Sequence, residues 1–177
     1  PKATVRLLER LGCRVEFPEE QTCCGQIFTN TGYYDEAMGS VKSYLKAFEK
    51  YEYIVGPSGS CVGSVRHQHE MLVAPAPYEI RGFTADVLAT PAVGASSPPG
   101  VPSPPSCHSV RIAKVGDKPM QLLKAVHGIT VLDLPNSEQC CGMGGTFSLK
   151  NPDMSVAMAS DKARNVASTG AEYLVAG

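Results

Sequence analysis

The sequence contains two matching stretches, GCRVEFPEEQTCCG at residues 12–25 and GITVLDLPNSEQCCG at residues 128–142. In each stretch a proline lies five residues before a Cys-Cys-Gly tripeptide. Adjacent cysteines do not easily bond to each other, because a disulfide requires Cα atoms about 4.4–6.8 Å apart and a defined torsion. Two thiols on one tight turn are better suited to a metal ion or an iron–sulfur cluster. The duplication also indicates that the chain is built from two related halves.

The composition is typical of a globular protein that can bury a core: 177 residues, 43% hydrophobic and 19% charged. The formal net charge of -1 gives no reason to expect nucleic acid or an anionic membrane as a partner. No apolar run approaches the roughly 18 residues of a membrane span. Seven cysteines without a recognisable secretion signal favour a reducing compartment, which we expect to be the cytoplasm.

Helical and extended patterns alternate along the chain, which predicts an α/β fold with parallel strand pairing. Apolar residues at helical spacing predict helices at 4–11, 35–51, 63–72, 83–88, 119–126 and 153–169. Short strands are predicted at 13–17, 53–55, 129–134 and 173–175. We expect the Cys-Cys-Gly turns to lie at strand ends, where open α/β sheets bind their ligands.

Residues 89–106 differ in composition from the rest of the chain, with six prolines between Pro91 and Pro105. Such a stretch resists helix and sheet and is typical of an extended linker. It separates a first half at residues 1–88 from a second half at residues 107–177. Because proline has no N–H for a central strand, we expect the second half to lack a first strand at 101–105.

Six of the cysteines form two matching sets. The first trio is Cys23, Cys24 and Cys61, and the second trio is Cys107, Cys140 and Cys141. Thiolate is the soft ligand that iron–sulfur clusters and zinc select. Superposing the halves places a counterpart of Cys107 before residue 1 and a counterpart of Cys61 beyond residue 177. We therefore expect the sequence to stop short of one ligand at each end.

The other cysteine and the histidines receive different interpretations. Cys13 lies on a predicted strand and is interpreted as a buried core thiol. His108 follows a trio cysteine, and the roles of ligand, acid–base group and support for a ligand all remain open. His67 and His69 are expected on the surface, because their spacing puts them on different faces of a helix. His127 is expected to interact with the carbonyls at a helix end.

These motifs resemble the cysteine-rich CCG domain of iron–sulfur oxidoreductases, a group that includes heterodisulfide reductase and the iron–sulfur component of glycolate oxidase. The nearer resemblance is to the lactate utilisation protein A family. The stretches that carry it are residues 11–26, 56–62, 106–108 and 140–148. The resemblance covers nearly the whole chain except residues 74–105.

The resemblance implies a fold of two pseudo-symmetric CCG-type α/β repeats with short parallel sheets, packed face to face. It implies an iron–sulfur cluster of the [4Fe–4S] type as cofactor, with the six trio cysteines as ligands. The implied function is electron transfer in a complex that oxidises L-lactate to pyruvate. The dehydrogenation would be shared with companion subunits, so the chain need not be an enzyme alone.

Two rival functions remain open at this point, and a further alternative is a metal-free fragment without activity. The same thiols suit zinc, which would make the protein a structural or interaction module. A thiol–disulfide function of Cys61 or Cys107 is the other rival, although no Cys-x-x-Cys motif supports it.

Overall fold

The structure is a computed structural model that describes residues 2–69, 78–79, 83–90, 92–97, 100–103 and 106–176. The helices are α1 (Lys2–Arg10), α2 (Gln26–Thr29), α3 (Tyr34–Phe48), α4 (Gly59–Gly63), α5 (Cys107–Arg111), α6 (Lys118–Lys124), α7 (Phe147–Lys150) and α8 (Pro152–Ala167). Two π-helical turns span Ser64–Gln68, directly after α4, and Phe83–Val87. The strands are β1 (Val55–Gly56), β2 (Tyr78–Glu79), β3 (Val101–Pro102) and β4 (Val131–Leu132).

The strands form two small parallel sheets, one within the first half of the chain and one between the proline-rich stretch and the second half. Strand β1 pairs with β2, and β3 pairs with β4 in a register that sets Val101 opposite Val131. This arrangement confirms an α/β fold with short parallel sheets. No helix in the described part of the chain is both long and apolar enough to span a membrane.

Strand β3 lies inside the proline-rich stretch, where we expected no strand. Val101 donates its N–H to the carbonyl of Thr130 at 2.9 Å, and the carbonyl of Pro102 accepts from the N–H of Val175 at 3.2 Å. The bonds of β3 therefore use the N–H of Val101 and the carbonyl of Pro102, and neither requires the N–H that proline lacks. Both residues of β3 are fully buried. The expectation that the second half lacks this strand was wrong.

Two predicted strands are not formed in the described structure. Residues 13–17 have no regular secondary structure and pair with no described strand, and Phe17 is 62% exposed. Helix α1 ends at Arg10 and is followed by Gly12, which has a φ of 85°. This turn allows the N–H of Cys13 to bond the carbonyl of Leu8 at 3.0 Å. Residues 173–175 also form no strand, although Val175 makes the single bond to β3. Alternation alone does not form a strand, because a strand also requires a neighbouring strand to pair with.

The predicted helices at 4–11, 35–51, 119–126 and 153–169 correspond to α1, α3, α6 and α8, with ends that differ by a few residues. The helix predicted at 63–72 begins earlier, as α4, and continues as a π-helical turn; residues 70–72 lie outside the described residues. The predicted helix at 83–88 is the second π-helical turn. The described buried apolar residues are Leu8, Ala37, Val41, Ala47, Val62, Val65, Phe83, Val101, Ala113, Val115 and Leu134.

The two halves meet where α4 packs against α5. Gly63 lies beside Ile112, and a Cβ at Gly63 would be 3.2 Å from the Ile112 side chain. Gly59 lies even closer to Ser109, because a Cβ at Gly59 would overlap the Ser109 hydroxyl. The absence of a side chain at Gly59 therefore determines how near the two halves approach.

Gly59→Ala should lower the free energy of unfolding by about 1–3 kcal/mol, because the new methyl group must displace Ser109 from a packed interface. Gly39→Ala is the matched control, since Gly39 lies inside α3 with nothing within 4 Å of its added Cβ. That change should be neutral or stabilising by up to about 1 kcal/mol, as alanine is favoured in helices. Urea unfolding measures both, and equal effects of the two changes would contradict the packing argument.

Candidate metal centre

The first trio is formed by a tight turn and the start of a short helix. Cys23 and Cys24 precede Gly25, which adopts a φ of 77° before α2. A Cβ at Gly25 would lie 3.1 Å from the Ser40 side chain on α3, so glycine is favoured by both conformation and space. Cys61 lies in α4, where its N–H donates to the hydroxyl of the capping residue Ser58 at 3.4 Å.

The thiols of Cys24 and Cys61 lie near enough to each other for their interaction to shift the two pKa values in opposite directions. The Cys24 thiol lowers the pKa of Cys61 to about 6, although burial acts in the opposite direction; Ser58 lowers it further. The pKa of Cys24 is raised, chiefly by the Cys61 thiol and next by burial. Cys23 adds a smaller repulsion that also raises the pKa of Cys24. Of these two thiols, Cys61 is therefore the more readily ionised.

The second trio is formed in the same manner by α5 and the second turn. Cys107 is the first residue of α5, whose capping residue Ser106 accepts from the N–H of Ser109 at 3.1 Å. The sulfur atoms of Cys107 and Cys140 lie 3.8 Å apart. Burial raises the pKa of Cys107, and repulsion by Cys140 and then Cys141 adds to this effect. All three thiols of the second trio therefore interact.

The second turn repeats the glycine geometry of the first. Gly142 has a φ of 83°, and its Cβ would lie 2.6 Å from the carbonyl of Ser155 and 3.0 Å from Met158, both on α8. The N–H of Gly142 donates to the sulfur of Cys140 at 3.4 Å. This is the backbone-to-sulfur approach that tunes the reduction potential of iron–sulfur sites.

The predicted relation between the turns and the strand ends needs correction. The segments that directly follow strands are those with Cys61, after β1, and Cys107, after β3. The first Cys-Cys-Gly turn follows an unpaired extended segment, and the second lies eight residues after the end of β4. Each trio thus has one cysteine in the segment that follows a parallel strand and two cysteines in a Cys-Cys-Gly turn.

His69 is a residue of the site that the sequence interpretation missed. It was expected on the surface but is fully buried, with Nε2 2.8 Å from the carbonyl of Cys24. A carbonyl only accepts, so Nε2 carries the proton. Burial lowers the pKa of His69, and its Nδ1 has no hydrogen-bond partner among the described residues. The edge-on contact with Tyr44 on α3, with ring centroids 5.7 Å apart, fixes the ring further.

Polar side chains join α2 to the π-helical turn that carries His69 to this position. Thr29 donates to the side-chain oxygen of Gln68 at 2.7 Å, and Gln68 donates to the side chain of Asn30 at 2.9 Å. The N–H of His69 bonds the carbonyl of Ser64, five residues earlier, at 3.1 Å. The π turn therefore places His69 against the first Cys-Cys-Gly turn and Gln68 against α2, which follows that turn.

The three other histidines and Cys13 lie in different environments. His67 is exposed, as expected. His127 is exposed beyond the end of α6, and its backbone is bonded to residues 95 and 97. Cys13 is half-buried and not in the core, because the strand that would have buried it is not formed. His108 is half-buried with Nδ1 3.6 Å from the sulfur of Cys107, and burial lowers its pKa. This position is compatible with support of the Cys107 thiol.

The donor set fits an iron–sulfur cluster. Thiolates are the usual protein ligands of iron–sulfur clusters, and the second trio has two of its sulfur atoms, those of Cys107 and Cys140, 3.8 Å apart. In the described part of the chain, however, no three His, Cys, Asp or Glu side chains converge on a single ion. Pairs of thiols beside further thiols suit a group with several metal atoms better than one ion. A buried hydroxyl without a partner among the described residues, that of Thr146, lies near the second turn.

Comparison with known families agrees with the fold and the paired thiol turns. The family model of the cysteine-rich domain, abbreviated CCG, matches residues 1–66 and 104–177. The fold and the two turns thus define a protein of the cysteine-rich domain class.

Comparison with curated proteins identifies the particular family. Lactate utilization protein A of Oceanobacillus iheyensis is 46% identical over 99% of this chain and 77% of its own length. The proteins of the same name from Bacillus cereus strain B4264 and Geobacillus kaustophilus are 44% and 41% identical, over 98% of this chain and 78% of each relative. The chain belongs to the lactate utilization protein A family.

In the metal-free protein, iodoacetamide should alkylate Cys61 faster than Cys24 at pH 7, because Cys61 is exposed and its pKa is about 6. The Cys61 rate should persist as the pH falls toward 6 and decrease below it, as the thiolate is protonated. Mass spectrometry of peptides from a time course measures both rates. Cys24→Ala, which removes the thiol that lowers the pKa of Cys61, should slow the alkylation of Cys61, and an unchanged rate would contradict the interaction between the two thiols.

Proposed function

We propose that the protein is the iron–sulfur subunit of a complex that oxidises L-lactate to pyruvate, and that it transfers electrons in that complex. The observation that carries the proposal is the pair of thiol trios in a chain of the lactate utilization protein A family. The proposed cofactor is of the [4Fe–4S] type, held by Cys23, Cys24 and Cys61 and by Cys107, Cys140 and Cys141. When bound, such a cluster takes up and releases single electrons.

The roles of the chain's own residues follow from their positions. Cys24, Cys107 and Cys140 are half-buried and would anchor each cluster against the protein. Cys23, Cys61 and Cys141 are exposed, so each site opens to the surface. An open site allows electron exchange with companion subunits, which would carry out the dehydrogenation. Seven free cysteines agree with a cytoplasmic location, where thiols stay reduced.

We infer that the two halves are pseudo-symmetric repeats. In support, each turn glycine has a positive φ and packs on the next long helix, Gly25 on α3 and Gly142 on α8. In each half, a serine also caps the short helix that carries the lone cysteine: Ser58 caps α4 and Ser106 caps α5. The proposed division is a first repeat at residues 1–88, a linker at 89–106 and a second repeat at residues 107–177, whereas the family model leaves residues 67–103 unmatched.

Anaerobic reconstitution with iron and sulfide should give a brown protein, and Cys24→Ser or Cys140→Ser should each remove about half of the bound iron. Cys13→Ser is the matched control and should leave the iron content unchanged, because Cys13 belongs to neither trio. Iron and acid-labile sulfide analysis with a visible spectrum measures the outcome. Full cluster content in Cys140→Ser would exclude the ligand assignment, and a colourless protein would exclude the cofactor.

The metabolic part of the proposal has a separate test. Deletion of the gene in its host should abolish growth on L-lactate as sole carbon source and leave growth on pyruvate intact. Complementation with the unmodified gene should restore growth, and complementation with the gene that carries Cys140→Ser should not. Normal growth of the deletion strain on L-lactate would contradict the assigned substrate but not the presence of a cluster.

A further inference from the structure

The three residues before the second Cys-Cys-Gly turn are held by positively charged side chains. Lys162 Nζ donates to the carbonyls of Ser137 at 2.6 Å and Gln139 at 3.1 Å. Arg111 Nη2 donates to the carbonyl between them, that of Glu138, at 3.3 Å. Three successive carbonyls that lead directly to a thiol turn are thus all bonded to cations. We name Arg111 and Lys162 the cationic clamp.

The clamp connects the segments that carry the second trio. Arg111 is the last residue of α5, the helix that begins with Cys107. Lys162 belongs to α8, the helix on which Gly142 packs. Asn165, one turn further along α8, adds a bond to the side chain of Gln139 at 3.2 Å. Hydrogen bonds from charged donors are about twice as strong as those between neutral groups, so the clamp holds the turn firmly against both helices.

The first turn is anchored without a cation. In the segment before it, the backbone N–H and the side-chain amide of Gln21 both donate to the carbonyl of Pro18, at 3.4 and 3.1 Å. The turn itself is held by His69, whose buried ring bonds the carbonyl of Cys24. Among the described residues, no lysine or arginine donates to the carbonyls of residues 20–22.

The charge of the clamp is not cancelled by a close carboxylate in the described structure. Asp161, the neighbour of Lys162 on α8, forms its ion pair with Arg164. The side chain of Glu138 is exposed, so its charge is solvated. Neither clamp residue forms an ion pair with a described residue. Arg111 is exposed and Lys162 is half-buried, so the charge of Lys162 is the less screened of the two. Such a charge favours the reduced, more negative form of a nearby redox group.

We propose that Arg111 and Lys162 are positioning residues for the second Cys-Cys-Gly turn, and that their charge gives the second trio the higher reduction potential of the two sites. The positioning part concerns the protein alone. The potential part rests on the proposed function, because it requires a cluster at each trio. An electron that enters the chain would then settle at the second trio.

Hydrogen exchange of the metal-free protein tests the positioning part. Lys162→Met removes both donors and should raise the exchange rates of the amides at 137–142 by about tenfold or more, as expected for the loss of a charge-assisted bond. Lys162→Arg should restore most of the protection. Arg164→Met is the matched control: it removes an equal charge from the same helix, and the Arg164 side chain donates to Asp161 instead of the turn. Unchanged exchange at 137–142 in Lys162→Met would overturn the positioning role.

A redox titration of the reconstituted protein tests the potential part. The signal lost in Cys24→Ser is assigned to the first trio, and the signal lost in Cys140→Ser is assigned to the second. Lys162→Met should shift only the second-trio signal to a more negative potential. Lys162→Gln, which keeps a donor but loses the charge, should shift the potential and retain part of the protection from exchange. Equal shifts of both signals, or the same shift in Arg164→Met, would overturn the claim.

The two parts fail in distinguishable ways. If the unmodified chain binds no iron, the proposed function and the claim about potentials are both refuted. The exchange experiment, which uses no metal, still decides whether the clamp positions the turn. If clusters form and the unmodified second-trio signal has the lower potential, only the electrostatic claim is refuted.

Discussion

Close packing of a turn glycine on a long helix is the constraint on which both thiol sites depend. Two neighbouring cysteines present their sulfurs on one side only if the chain reverses directly after them. At Gly25 and Gly142 this reversal uses a positive φ, and a Cβ would press on α3 or α8. The long helices α3 and α8 therefore act as supports for the turns. The lone cysteines, Cys61 and Cys107, come to the turns on short helices that begin after the parallel strands.

The contact between α4 and α5 explains why two small halves form one protein. Gly59 and Gly63 let α4 approach Ser109 and Ile112 on the second half. The helices that meet there are the same ones that carry Cys61 and Cys107, so the interface places the two trios on adjoining elements. A second contact connects the segments that follow the two turns, because Gly145 lies beside Ile27 on α2. A Cβ at Gly145 would be 3.4 Å from the Ile27 side chain.

Local sequence patterns predicted much of this structure, because helix periodicity and the Cys-Cys-Gly spacing are local properties. They identified the helices α1, α3, α6 and α8. Local patterns failed where a distant element decides the outcome. The alternating residues 13–17 have no partner strand among the described residues, whereas Pro102 pairs because its register needs only its carbonyl. His69 is buried because a π turn rotates it away from the position that a regular helix would give.

The contacts that hold the turns also could not be predicted from the sequence. Lys162 lies twenty-three residues after Gln139, in a helix whose charged residues would ordinarily be assigned to solvent. Its bonds depend on how α8 crosses the loop at 137–139, which no periodicity specifies. His69 gave no signal either, since two histidines two residues apart are typical of an exposed helix. Both residues take their roles from tertiary contacts alone.

Anomalous scattering at the iron edge, from crystals of the anaerobically reconstituted protein, tests the central claim most directly. The account predicts two separate iron peaks, one bonded to the sulfurs of the first trio and one to those of the second. Iron peaks at other residues, or a single mononuclear peak shared between the halves, would contradict it.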